Sequence, residues 1–164
     1  MAISSGFGNF YDSVILNSPK LPNSSNECEI NFYYYMFGSN IGSLDLKVQY
    51  ANNTLSKSLW NVSSSQAPNW KFGTLNIGKE LGEIETGWKI SYSYKPTSYF
   101  FYDPVAIDDI SFVNCNPNDY LKPVKCDFER DFCGWENQPY NTQFNWTRNK
   151  DETDSIETGP PGDQ

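Results

Sequence analysis

The strongest constraint on the fold is the strict alternation of apolar and polar residues in short segments. Residues 44–50 and 88–94 alternate in this way, and a period of two places one face of a β-strand against a core and the other toward solvent. Residues 29–36, 55–62, 70–77 and 106–113 are further strand candidates. Turn signals recur about every ten residues without any long helical period, so the sequence predicts an antiparallel β-sandwich.

Length and charge narrow the class of protein. The chain has 164 residues and a net charge of −8. The length suffices for one domain with its own core, and the charge disfavours nucleic acid and anionic membrane surfaces as partners, since both require clustered Lys and Arg. No apolar stretch approaches the roughly 18 residues of a membrane span, so we expect no direct membrane insertion. The first residues lack the pattern of a signal peptide. If the protein is secreted, its export signal therefore lies outside this chain, and the simplest interpretation is a piece of a larger ectodomain.

Cysteine and histidine usage argues against catalysis. The four cysteines contain no Cys-x-x-Cys pair, and the chain has no histidine. A four-cysteine zinc site is therefore disfavoured, and the commonest general base is missing. We expect no catalytic residues and a non-enzymatic protein. The even number of cysteines leaves disulfide pairing open.

Several strings in the sequence resemble one known family. Residues 28–38 read Cys-Glu-Ile-Asn-Phe-Tyr-Tyr-Tyr-Met-Phe-Gly, and residues 106–112 read Ala-Ile-Asp-Asp-Ile-Ser-Phe before Cys115. Residues 126–129 read Cys-Asp-Phe-Glu, residues 133–135 read Cys-Gly-Trp, and residues 159–163 read Gly-Pro-Pro-Gly-Asp. In combination they resemble the MAM domain, an extracellular adhesion and interaction module. The resemblance implies an all-β, two-sheet antiparallel sandwich of the jelly-roll type.

The order of these strings is unusual for that family. The string at 126–129 resembles the N-terminal start of a domain of this family, and the string at 106–112 resembles its C-terminal end. In this chain the string typical of the C-terminal end comes first. The resemblance implies a block at 1–115 that lacks its opening strands, a polar linker at 116–125, and an opening segment of a following repeat at 126–164. Either this segment is loosely attached, or it completes the first block as a circularly permuted sandwich that buries Phe128, Trp135 and Trp146.

The family resemblance also implies a function. We expect a non-catalytic interaction or adhesion module of a larger membrane-anchored or secreted protein, with extracellular or cell-surface proteins, including further copies of itself, as partners. The alternative is an accessory, non-catalytic domain of an extracellular metalloprotease, which a His-Glu-x-x-His string in the full gene would indicate. A glycan-binding sandwich is a third interpretation. The five tryptophans are favoured as packing rather than sugar-stacking rings, and the aromatic run at 32–36 is favoured as a core strand over a ligand platform.

The resemblance further suggests two disulfides, namely Cys28–Cys115 and Cys126–Cys133. Asn-x-Ser/Thr triplets indicate N-glycosylation in a secreted chain. They begin at Asn23, Asn52, Asn61 and Asn145. The polar stretches around the first two favour those sites, whereas an apolar neighbour makes the last one the least accessible.

Acidic residues lie in or beside the family strings, and some family members bind a cation near the domain opening. Calcium takes six to eight oxygen ligands, although the spacing here is not that of an EF-hand. The expected ligands are Asp127, Asp163 and either Asp108 or Asp109. The alternative is that these carboxylates serve only as hydrogen-bond acceptors at strand ends. No other cofactor is expected.

Overall fold

The computed structural model describes residues 2–3, 13–50, 56–82, 87–97, 103, 105–115, 125–138 and 145–149. The regular secondary structure elements of this part of the chain are almost entirely β-strands. In chain order they are β1 (Ala2–Ile3), β2 (Val14–Asn17), β3 (Glu29–Met36), β4 (Ser43–Gln49), β5 (Ser56–Ser63), β6 (Ala67–Asn76), the short helix α1 (Ile77–Leu81), β7 (Lys89–Lys95), β8 (Val105–Val113), β9 (Lys125–Cys126), β10 (Glu136–Asn137) and β11 (Trp146–Thr147).

The strands form two antiparallel sheets. In sheet A the order is β11-β1-β8-β3-β6, and β9 also pairs with β8. In sheet B the order is β10-β2-β7-β4-β5. The predicted two-sheet, all-β antiparallel sandwich is therefore confirmed, with large apolar side chains of both sheets forming one core.

The alternating segments behave as the period of two requires. In β4 the side chains of Leu44, Leu46 and Val48 are fully buried while the intervening residues face outward. The strand β7 is central in sheet B, between β2 and β4. It turns Ile90 and Tyr92 into the core. Burying such apolar faces supplies most of the stabilising free energy, at roughly 25 cal/mol per Å² removed from water.

Aromatic rings fill the centre of the sandwich. Phe32 of β3 meets Trp60 of β5 and Tyr92 of β7 edge-on, with ring centroids 5.2 and 5.3 Å apart. The run at 32–36 is thus a core strand, as favoured from the sequence. Gly73 lies directly opposite Phe32 in β6, and a Cβ there would come within 2.5 Å of the Phe32 ring. A larger residue at 73 would therefore displace this ring.

The residues after 124 lie in the same sandwich. β9 pairs with β8, β10 with β2, and β11 with β1, so the segment reaches both sheets. Its three rings, Phe128, Trp135 and Trp146, are buried in the common core. A loosely attached segment would lack these contacts. The boundaries at 115, 116–125 and 126–164, and their relation to family repeats, stay predictions.

Candidate functional site

Two of the predicted acidic ligands, Asp108 and Asp109, lie at a bulge in β8. The pairing of β8 with β3 shifts register between Asn31 and Tyr33, and Asp109 adopts a left-handed φ of 47°. One extra residue at this point changes which positions face the core. Before the bulge Ile107 is in the core, and after it Ile110 is. The Asp108 carboxylate accepts a hydrogen bond from the Asp109 N–H at 2.8 Å, which favours the turned backbone.

Lys125 forms an ion pair with one of these acidic residues, Asp109. Lys125 lies opposite Ser111 in the neighbouring strand, and its Nζ is 3.1 Å from Asp109 Oδ1. The hydrogen bond to Asp109, together with the negative charges of Asp109, Asp127 and Asp108, raises the pKa of the Lys125 ammonium. The Lys125 side chain is 58% exposed and that of Asp109 is 21% exposed, so water screens the ion pair and its contribution to stability is small.

The calcium site stays a prediction. Among the described residues no group of three or more His, Cys, Asp or Glu side chains is placed to hold a metal ion, and Asp163 lies outside them. Asp127 is exposed, and its carboxylate accepts a hydrogen bond from the Glu129 N–H at 3.2 Å. A calcium ion at this position has to compete with the Lys125 ammonium for Asp109.

The four cysteines form two bonds in the structure, Cys28–Cys115 and Cys126–Cys133, which are the pairs that the family resemblance suggested. The first closes a sequence separation of 87 residues and joins the start of β3 to the residues just after β8. The second spans 7 residues. Each bond therefore stays on its own side of the stretch 116–124.

The glycosylation triplets lie in different environments. Asn61 is exposed on β5, where its Nδ2 donates to Asp45 Oδ1 at 2.9 Å. Asn23 is exposed in the loop after β2, and Asn145 is also exposed although the adjacent Trp146 is buried. Asn52 lies outside the described residues. Occupancy of all four sites stays a prediction.

One surface feature was not identified from the sequence. The outer face of sheet A carries two aromatic pairs that bridge β3 and β6: Tyr33 with Phe72 at 5.3 Å between ring centroids, and Tyr35 with Trp70 at 6.1 Å. Phe72 is 57% exposed, the most of any large apolar residue described. The sequence contained a signal for these pairs, because the aromatic residues at 70 and 72 are two apart and so lie on one face of a strand. The sequence did not show whether that face is turned toward the core or toward solvent. We call these four residues the aromatic face. Phe72 is its exposed member, Tyr33 and Trp70 are partly buried, and Tyr35 is buried.

The geometry defines a disulfide-bonded, two-sheet β-sandwich module. The family described as "MAM domain, meprin/A5/mu" matches residues 1–116. Relatives include "Thyroid hormone-induced protein B" of Xenopus laevis, 28% identical over 154 residues, and "MAM domain-containing protein 2" of Mus musculus, 27% identical over 154 residues. "Neuropilin-1" of Xenopus laevis is 30% identical over 112 residues, which cover 68% of this chain and 11% of that protein.

This chain belongs to the MAM domain family. It spans about a fifth of the first two relatives, since each alignment covers 90% of this chain and 21% of the relative. Coverage of 90% means that both alignments continue beyond residue 116. MAM domain proteins are extracellular proteins or membrane ectodomains. The only helix described here is five residues long, too short to cross a membrane.

Proposed function

We propose that this chain is a non-catalytic extracellular module that binds other extracellular or cell-surface proteins as part of a larger membrane-anchored or secreted protein. Family membership and the two disulfides support this proposal, because disulfides persist in oxidising compartments. The coverage of only 21% of the first relatives supports a multidomain parent. Alignments that run past residue 116 support the assignment of 126–164 to a following repeat.

The aromatic face is the observation that supports a protein partner. Aromatic residues are enriched at protein interfaces, where they bury large areas at a low cost in conformational entropy. Phe72 exposes more than half of its surface on an edge strand of sheet A. The Tyr33 ring of the neighbouring strand packs edge-on against the Phe72 ring. We propose that this face contacts the partner, including a second copy of the module in homophilic adhesion.

The test uses beads coated with the folded chain and, in a second assay, cells stained with a tetramer of the chain. Self-aggregation of coated beads measures homophilic binding, and staining of cells with a tetramerised chain measures binding to other surface proteins. We expect Phe72→Ser to reduce binding at least tenfold, which corresponds to about 1.4 kcal/mol. The control Phe37→Ser removes a ring that is 41% exposed and belongs to neither aromatic pair, and it should leave binding unchanged.

The same cells separate a protein partner from a glycan partner. Trypsin treatment of the cells removes surface proteins, whereas glycosidases remove surface glycans only. Loss of staining after trypsin but not after glycosidase treatment supports the protein partner. Staining that glycosidases abolish would favour the glycan-binding interpretation, and equal binding by both Phe variants would place the contact elsewhere.

A role as an accessory domain of an extracellular metalloprotease is the second candidate, and the name of the family includes meprin. The two candidates differ in what adjoins the module. A His-Glu-x-x-His string in the same gene would make the module part of a zinc protease, whereas further sandwich modules of the same kind would support a scaffold or receptor.

A further inference from the structure

We infer that two copies of this chain close each other's sandwich by exchanging the residues that follow position 124. We call the described residues 125–138 and 145–149 the closing segment. They lie at the edges of both sheets in the structure. The acceptor is the surface formed by β1, β2 and β8 together with Tyr92.

Three buried rings hold the closing segment. Trp135 lies 5.8 Å from Tyr92 between ring centroids, and Phe128 lies 6.5 Å from Trp135. The Trp146 indole N–H donates to the Val14 carbonyl at 3.3 Å. Rings of this size bury about 150–250 Å² each, so the contact area is large for so short a segment.

Backbone pairing between the segment and the sheets is brief by comparison. Each of β9, β10 and β11 is two residues long. Beyond the ladder, the Gln138 N–H donates to the Ile15 carbonyl at 2.9 Å. Docking therefore depends on side chains that enter the core between the two sheets, as in recognition by strand addition, where side-chain pockets supply specificity.

The closing segment is also joined to itself. The Cys126–Cys133 bond lies within it. The Arg148 guanidinium donates to the Phe128 and Glu129 carbonyls at 3.2 and 2.9 Å. Both disulfides stay within their own parts, so the peptide chain at 116–124 is the one covalent connection between the segment and the rest.

Exchange preserves every one of these contacts. The partner's segment presents the same three rings to the same acceptor, so the main difference in free energy is the entropy of bringing two chains together. Exchange of an identical element is a low-cost route to dimers for this reason. For a short linker between two binding elements the effective concentration is on the order of 1 mM. The exchanged dimer should therefore populate as the chain concentration approaches that value.

The test is a disulfide placed across the pairing of β10 with β2. Asn17 and Glu136 are directly opposed in the register, and opposed antiparallel residues have Cα atoms about 4.5–5.5 Å apart, a span that a disulfide can bridge. The full chain carrying Asn17→Cys and Glu136→Cys is prepared with ¹⁴N and with ¹⁵N. The two forms are unfolded, mixed, refolded at about 1 mM and oxidised, and peptides linked through positions 17 and 136 are analysed by mass spectrometry.

Exchange predicts that about half of the interchain links join one ¹⁴N and one ¹⁵N peptide. The matched control is Ser43→Cys with Lys95→Cys, an opposed pair of β4 and β7 within the first block, whose links should stay within one chain. Absence of hybrid peptides at 17–136, or hybrids that are equally frequent in the control, would overturn the inference.

The unmodified chain supplies an independent measurement. An exchanged dimer separates only when both closing segments leave their acceptors, so dimers refolded at about 1 mM should persist for hours after dilution. Native mass spectrometry of mixed isotopic forms measures this. A chain that is monomeric directly after refolding at this concentration would also overturn the inference.

Discussion

Replacing Tyr92 by Phe should stabilise the protein, although it removes a hydroxyl from the centre of the core. Tyr92 is fully buried between Phe32 and Trp135, and its hydroxyl has no hydrogen-bond partner among the described residues. Folding therefore removes this hydroxyl from water without replacing the hydrogen bonds that it makes there. Burial also raises the Tyr92 pKa well above its usual value of 10.0, because the phenolate would be desolvated.

The expected magnitude follows from the cost of an unsatisfied polar group. Leaving a buried donor or acceptor unpaired costs about 1–3 kcal/mol. Removing one oxygen also loses some packing, which offsets part of the gain. We therefore expect Tyr92→Phe to raise the free energy of unfolding by about 1 kcal/mol, equivalent to about 2–4 °C in Tm for a chain of this size.

Tyr94 provides the matched control in the same strand. It is also buried, but a backbone hydrogen bond from Gly42 reaches its hydroxyl. Tyr94→Phe should lower the free energy of unfolding by about 1 kcal/mol, since it leaves the backbone group unpaired. Thermal and denaturant unfolding of both variants, with disulfides intact, measures the pair. If Tyr92→Phe were as destabilising as Tyr94→Phe, the Tyr92 hydroxyl would have to be bonded, for example to a buried water.

The dependence of stability on pH above 10 provides a second measurement on the same two tyrosines. Burial raises the pKa of Tyr94 to about 12 and that of Tyr92 well above 10.0. Above pH 10 the unfolded tyrosines lose protons that the folded ones retain, so the free energy of unfolding falls as pH rises. Tyr92→Phe should make this decline less steep between pH 10 and 12. Identical slopes for the variant and the parent chain would contradict the assigned burial.

Three further predictions concern the covalent and ionic features. Removing the Cys28–Cys115 bond, which closes a separation of 87 residues, should cost roughly 4–5 kcal/mol in the chain-entropy model, measured by denaturant unfolding; a loss below about 1 kcal/mol would refute that account. The chain secreted from a eukaryotic host should lose mass on enzymatic deglycosylation, with Asn23 and Asn52 as the favoured sites, and glycopeptides that show both unoccupied would weaken the extracellular assignment. Added calcium should raise Tm through binding to the native state, and Asp127→Asn should remove most of the rise, whereas equal melting in calcium and chelator would leave these carboxylates with a structural role only.

The long strands could be predicted from the sequence because their periodicity extends over many residues. The alternation at 44–50 corresponds to β4 and that at 88–94 to β7, with differences of one residue at the ends. β2 was missed because four residues are too few to establish a period. The strands β9, β10 and β11 are two residues long, too short to show a period, and β10 and β11 pair with strands far away in the sequence.

The site was only partly predictable for a similar reason. The family strings indicated Asp108 and Asp109 as candidate ligands. They did not indicate the left-handed backbone at Asp109, beyond which the other set of alternate residues in β8 faces the core. Lys125 belongs to the predicted polar linker, and the sequence did not indicate its ion pair with Asp109. An ion pair across strands requires the register of β8 and β9, which the sequence alone did not supply.

The corner where the two sheets meet shows how the chain after residue 124 becomes part of the sandwich. Trp146 pairs with Ile3 in sheet A, yet its indole bonds to Val14 in sheet B. Asn137 of sheet B completes the connection, because its side chain accepts from the Trp146 N–H at 2.8 Å and donates to the Trp146 carbonyl at 3.0 Å. An amide that satisfies both backbone groups of a buried residue resembles one more rung of a ladder. The sheets are thus joined by a side chain where no strand passes between them, and an identical segment from another copy would bring the same joint with it.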